Sequence, residues 1–96
     1  MNRRRVVITG MGVVSPVGNS VETAWNNVKN GVSGLGNISL FDSSRLKVHV
    51  DAEVKNFNIE DYGISSRATR KMARFSKFCL AASAQAIEDA GYTKET

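Results

Sequence analysis

The sequence holds one cysteine, one histidine and one proline among its 96 residues. Cys79 has no partner, which excludes an internal disulfide framework. Cys79 and His49 together cannot fill the four positions of a Cys/His zinc site. No apolar run approaches the ~18 residues of a membrane span, so no membrane association is expected. Arg3, Arg4 and Arg5 precede Val6-Val7-Ile8 as the basic start of a signal peptide would. The apolar run stops at Thr9 and Gly10, however, and no small-residue cleavage site follows. A lone free thiol suits a reducing compartment, and the expected location is cytoplasmic. Charged residues make up 23%, close to the ~25% of ordinary globular proteins, which argues against wholesale disorder.

What is present alternates between strand and helix signals. Arg5 to Thr9 reads as a strand, and its three β-branched apolar residues suit burial on both faces. Gly10, Gly12, Pro16 and Gly18 punctuate a long turn. Asn19 and Glu22 resemble a capping box for a helix over Ser20 to Asn30, with Val21, Ala24, Trp25 and Val28 on one face and Gly31 as its stop. Residues 31–44 read as a loop. From Lys47 to Val54 the pattern has period two. Val48, Val50, Ala52 and Val54 are expected inward, and Lys47, His49, Asp51 and Glu53 outward. Ser65 or Ser66 is expected to cap a long helix that ends at Ala90 before Gly91. On that helix Met72, Phe75, Cys79, Ala82, Ala86 and Ala90 share a face. Strand, helix, strand, helix gives an α/β class. Two strands cannot cover Val6 to Ile8, so the chain is expected to be a fragment whose sheet is completed elsewhere.

Three motifs carry chemical interest. Gly10-Met11-Gly12-Val13-Val14-Ser15 approaches a dinucleotide fingerprint but lacks the third glycine and the following ribose-binding acid. A structural turn that lets backbone pass close to its neighbours is the better reading, so no cofactor is expected. Cys79 lies mid-helix between Phe78 and Leu80 and reads as a buried structural thiol rather than a nucleophile. His49 reads as a surface histidine on the polar side of its strand.

The charge of +4 is unevenly placed: between Asp61 and Glu88 there is no acid, yet Arg67, Arg70, Lys71, Arg74 and Lys77 lie there. At the start of a helix these cations oppose the dipole. That placement suggests a surface concentrating positive potential for an acidic partner. No aromatic residues interleave with it to stack on bases, so nucleic acid is not the expected partner.

The run from Arg4 through Gly10-Met11-Gly12-Val13-Val14-Ser15-Pro16-Val17-Gly18-Asn19 resembles the N-terminus of the bacterial β-ketoacyl-acyl-carrier-protein synthase II family. The resemblance continues through Glu22, Trp25, Gly31, Ser33-Gly34, Phe41-Asp42, Val54-Lys55 and Phe57-Asn58. It ends on Arg70-Lys71-Met72, Phe75 and Asp89-Ala90-Gly91-Tyr92. It implies a thiolase-like layered α-β-α-β-α fold, incomplete here, with residues 1–96 forming one segment without an internal boundary. It also implies a homodimeric acyltransferase of fatty-acid synthesis. Such an enzyme takes an acyl group from acyl carrier protein onto a cysteine and condenses it with malonyl carrier protein as carbon dioxide leaves. The family's nucleophile and histidines stand in motifs that this sequence lacks. No catalytic residue is therefore expected in this segment, and the 96-residue chain alone is expected to be inactive. The matching positions for contact with acyl carrier protein are Arg67, Arg70 and Lys71, with Arg74 extending the patch. Two alternatives are a stand-alone basic-helix module for an acidic protein and a polyketide-type ketosynthase segment.

Overall fold

The computed structural model describes residues 3–93. Its elements in chain order are α1 (Val21–Lys29), β1 (Leu35–Asn37), β2 (Val50–Ala52), a short 3-10 helix (Ile59–Tyr62) and α2 (Arg74–Ala90). Strands β1 and β2 form an antiparallel pair in the register Leu35–Ala52, Gly36–Asp51 and Asn37–Val50.

Helix α1 falls where the apolar spacing predicts it. Its cap is Ser20 rather than Asn19: the Ser20 hydroxyl accepts from the Thr23 N–H at 3.2 Å. Asn19 is occupied elsewhere, since its amide donates to Lys55 O at 2.7 Å. Helix α2 ends as expected at Gly91, whose φ of 77° is the left-handed conformation that glycine adopts without strain.

The start of α2 differs from expectation. Residues 66–71 form turns, and the helix begins only at Arg74, because Ala73 is extended (ψ 155°). Arg67, Arg70 and Lys71 therefore precede the helix and do not sit in its first turn against the dipole. The hairpin differs too. β1 forms inside the expected loop, and the alternation on β2 is reversed: Val50 is 53% exposed and Ala52 is exposed, while Asp51 is half-buried. Val48 on the same side is 62% exposed, and only Val54 there is half-buried. Glu53 closes the hairpin by accepting from the Ser39 hydroxyl at 2.6 Å and from the Ser39 and Leu40 N–H groups at 3.2 Å each. These bonds, the hydroxyl's first, hold the Glu53 carboxyl below its ordinary range. Partial desolvation and then the neighbouring Glu53 charge push Asp51 up.

The expected strand at residues 5–9 pairs with no other strand among the described residues. Val6, Val7 and Ile8 are 90%, 72% and 82% exposed. The next residues are held against α2. A Cβ on Gly10 would lie 2.1 Å from Ala86 O, and one on Gly12 would lie 1.9 Å from Ala82 O. The glycines are thus a close backbone-on-helix crossing, as the structural-turn reading expects. Side chains of α2 secure it. Met11 N–H donates to the Asp89 carboxylate at 3.0 Å, and the Gln85 amide both accepts from Val13 N–H (3.3 Å) and donates to Val13 O (2.9 Å). The apolar face expected of α2 is split in consequence. Ala82, Ala86 and Ala90 are half-buried, but Met72, Phe75 and Cys79 are exposed. Cys79 is therefore not the buried thiol expected, because no described residue packs on that half of the helix.

Candidate functional site

The cationic cluster is built on the turn that links the 3-10 helix to α2. Arg67, Arg70 and Lys71 are all exposed on it. The turn has its own hydrogen bonds: Arg70 N–H to Arg67 O (3.4 Å) and Met72 N–H to Thr69 O (3.0 Å). It is moored to the 3-10 helix by the Ser66 hydroxyl, which donates to the Glu60 carboxylate at 2.6 Å. The 3-10 helix is seated in turn by Ile59, 5% exposed, and capped by Asn58, whose side chain accepts from Glu60 N–H at 3.1 Å.

Arg74 has a different setting from the other three. Its guanidinium donates to Val54 O at 3.0 Å and lies 4.9 Å from the centroid of the Phe78 ring. Phe78 meets Phe57 edge-on at 4.9 Å, and Phe57 stacks with Tyr62 at 5.8 Å. This aromatic row joins α2 to the 3-10 helix, with pair contacts of about 0.5–1.5 kcal/mol each. Arg74 therefore clamps the first turn of α2 to the end of the hairpin strand. Beside it, Arg74 and Lys77 border an open groove of about 340 Å³ floored by Phe57, Asn58 and Ile59. The Tyr62 hydroxyl, raised in pKa by burial and then by Asp61, donates to Asn19 O at 2.8 Å.

The structure thus brings Arg67, Arg70 and Lys71 onto one moored turn and sets Arg74 at its edge as an anchor. Sequence reading missed Thr69, which is 2% exposed in the middle of this turn. The only signal was an uncharged β-branched residue inside a basic run. His49 is exposed as expected, with Nδ1 3.3 Å from the Ser43 hydroxyl. At the Gly10–Gly12 crossing the Asp89 carboxylate occupies the backbone donor that a diphosphate would use, and its charge would repel one. Among the described residues no group of three or more His, Cys, Asp or Glu could hold a metal ion. No helix there is long and apolar enough to cross a membrane.

The sequence profile of the beta-ketoacyl synthase N-terminal domain matches residues 3–96. The chain belongs to the beta-ketoacyl synthase family. It is 46% identical over 87 residues to 3-oxoacyl-acyl-carrier-protein synthase 2 of Staphylococcus aureus strain COL, an overlap of 91% of this chain and 21% of that protein. It is 45% identical over 91 residues to the protein of the same name from Vibrio cholerae, with 95% of this chain and 22% of that protein covered. Among solved structures, the ishigamide ketosynthase/chain length factor superposes with a TM-score of 0.89 at 34% identity, over 98% of this chain and 23% of that one. The chain spans about a fifth of the length of the curated relatives it matches. Its fold is accordingly an incomplete α/β piece of the thiolase-like ketosynthase architecture. The exposed Val6–Ile8 run is consistent with that.

Proposed function

We propose that this chain is the N-terminal segment of a condensing enzyme that elongates acyl chains on acyl carrier protein, using malonyl carrier protein as the two-carbon donor in fatty-acid synthesis. Residues 1–96 act as one piece of its ketosynthase domain, within a cytoplasmic homodimer. The segment supplies scaffold and a docking surface, and the nucleophile lies elsewhere in the enzyme. The observation that carries this reading is the moored, exposed cluster of Arg67, Arg70 and Lys71 in a chain 45–46% identical to synthases named for a carrier-protein substrate. Arg74 contributes less to docking, because its guanidinium is held by Val54 O. A polyketide-type ketosynthase segment is the second reading, favoured by the overlap with the ishigamide ketosynthase/chain length factor at 34% identity.

Exposed ion pairs contribute ~0.2–1 kcal/mol each, and reversed charges add repulsion. Arg70→Glu with Lys71→Glu in the full-length synthase should raise KM for acyl-carrier-protein substrates about tenfold or more. Acyl-pantetheine mimics, which carry no acidic protein surface, should react at nearly unchanged rates. The discrimination should fade as salt shortens the Debye length below ~8 Å. An equal loss with both substrates would make these residues structural, and no loss with either would make the patch an idle solvated surface.

Cys79 sits well inside α2, away from the helix N-terminus that would favour its thiolate. Cys79→Ser should leave turnover of the full-length enzyme within about twofold, since no activated nucleophile is removed. Loss of acyl-enzyme formation, read by intact-protein mass after incubation with acyl carrier protein, would refute this.

A further inference from the structure

Thr69 is the largest fully buried side chain among the described residues, at 2% exposed, yet its flanks are Arg67, Arg70 and Lys71. Threonine is ordinarily a surface residue, so burial at the centre of a cationic turn calls for a physical cause. Its hydroxyl lies 3.2 Å from Ser65 O and 3.2 Å from Ser66 O. With a single hydrogen to give, it shares that hydrogen between the two carbonyls. The same turn receives the Ala68 N–H on the Ser65 hydroxyl at 3.4 Å, and Ser66 is tied to Glu60. No α-helical ladder holds the backbone over residues 66–71. The inward threonine with its back-bonded hydroxyl is therefore the fixed point about which the three outward cations are arranged.

We propose that Thr69 is a positioning residue: its buried side chain sets the turn so that Arg67, Arg70 and Lys71 meet an acidic protein partner as one preorganised surface. The proposal rests on the docking reading above. A turn released from its pin would sample other shapes, and the partner would then have to order it on binding. Charge would be unchanged, so the loss would appear as a fall in the competent fraction rather than a change in electrostatics.

The test uses the full-length synthase with Thr69→Val, Thr69→Ser and the Arg70→Glu/Lys71→Glu pair, assayed with acyl-carrier-protein and acyl-pantetheine substrates across ionic strength. Valine keeps the shape and removes the hydroxyl. It should raise KM for the carrier substrate about three- to tenfold, the worth of one intramolecular hydrogen bond. The kcat and the pantetheine KM should stay unchanged, and so should the salt slope. Serine, which keeps the hydroxyl, should restore most of the carrier KM. If the charge reversals raise the carrier KM and Thr69→Val does not, the pin is refuted and docking stands. If the charge reversals have no effect, the docking reading itself fails. If Thr69→Val impairs both substrates equally, Thr69 is structural and the proposal falls. Should valine prevent folding, Thr69→Ala adds no bulk and carries the same comparison, with the same outcomes deciding.

Discussion

Gly12→Val in the full-length protein is expected to abolish soluble expression, and Gly10→Ala or Gly12→Ala to lower Tm by about 1–4 °C. A Cβ at position 12 would sit 1.9 Å from Ala82 O and 2.8 Å from Gln85 Cβ. At position 10 it would meet Ala86 O at 2.1 Å and Ala90 N at 2.8 Å. These neighbours are mostly helix backbone, which cannot swing aside as a lysine tip could. Overpacking of this kind costs about 1–3 kcal/mol and sometimes more. Moving the segment outward would also stretch the bonds of Met11 to Asp89 and Val13 to Gln85. Gly36→Ala is the matched control, because a Cβ there meets nothing within 4 Å. Calorimetry of the three alanine variants decides the matter. A Gly12→Ala protein as stable as Gly36→Ala would mean that the crossing is loose.

The isolated 96-residue chain should show no cooperative thermal transition. Its accessible surface is 8087 Å², against about 5,400 Å² for a compact monomer of this mass. Its radius of gyration is 16.9 Å, against roughly 12–13 Å for a folded chain of this length. Among the described residues only Ile59 and Ala81 are buried hydrophobics, while Val6, Ile8 and Phe75 are 90%, 82% and 75% exposed. So little burial cannot offset a backbone entropy cost of about 1–2 kcal/mol per ordered residue. Circular dichroism should show partial helix melting gradually. A sharp transition with well-dispersed amide resonances from a monomer would overturn this expectation and favour an independent binding module.

The sequence made α1 legible because its apolar spacing and Gly31 agree on one short helix, although the cap is Ser20 where Asn19 was expected. Gly91 marked the end of α2 for the same reason. The start of α2 was hidden: Ser65 and Ser66 are good caps, and no glycine or proline stands between them and Arg74. Only the buried setting of Thr69 and the extended Ala73 show that residues 66–71 are turns. In the hairpin, period two located β2, but which face is covered depends on residues that are distant in sequence or outside this segment. Likewise Val6–Ile8 reads as a buried strand because its composition records a sheet that the described residues do not complete. The cations of the proposed docking patch were legible as a gap in acidic residues, whereas their mooring through Glu60 and the separate clamp role of Arg74 needed coordinates.

Gln85 imitates a peptide group. Its oxygen takes the Val13 N–H, and its nitrogen serves both Val13 O and Asn19 O, at 2.9 Å each. Both amide hydrogens are thus spent on carbonyls, which fixes the orientation of the amide without ambiguity. Glutamate at this position could accept but not donate, so Val13 O would lose the amide donor, Asn19 O would keep only the Tyr62 hydroxyl, and both would face a negative charge. Lysine could donate but would leave the Val13 N–H unanswered. One side chain thereby encodes, at a single codon, the pairing that a neighbouring strand would otherwise provide. That ties the glycine-rich segment to its helix by chemistry which neither hydropathy nor charge would reveal.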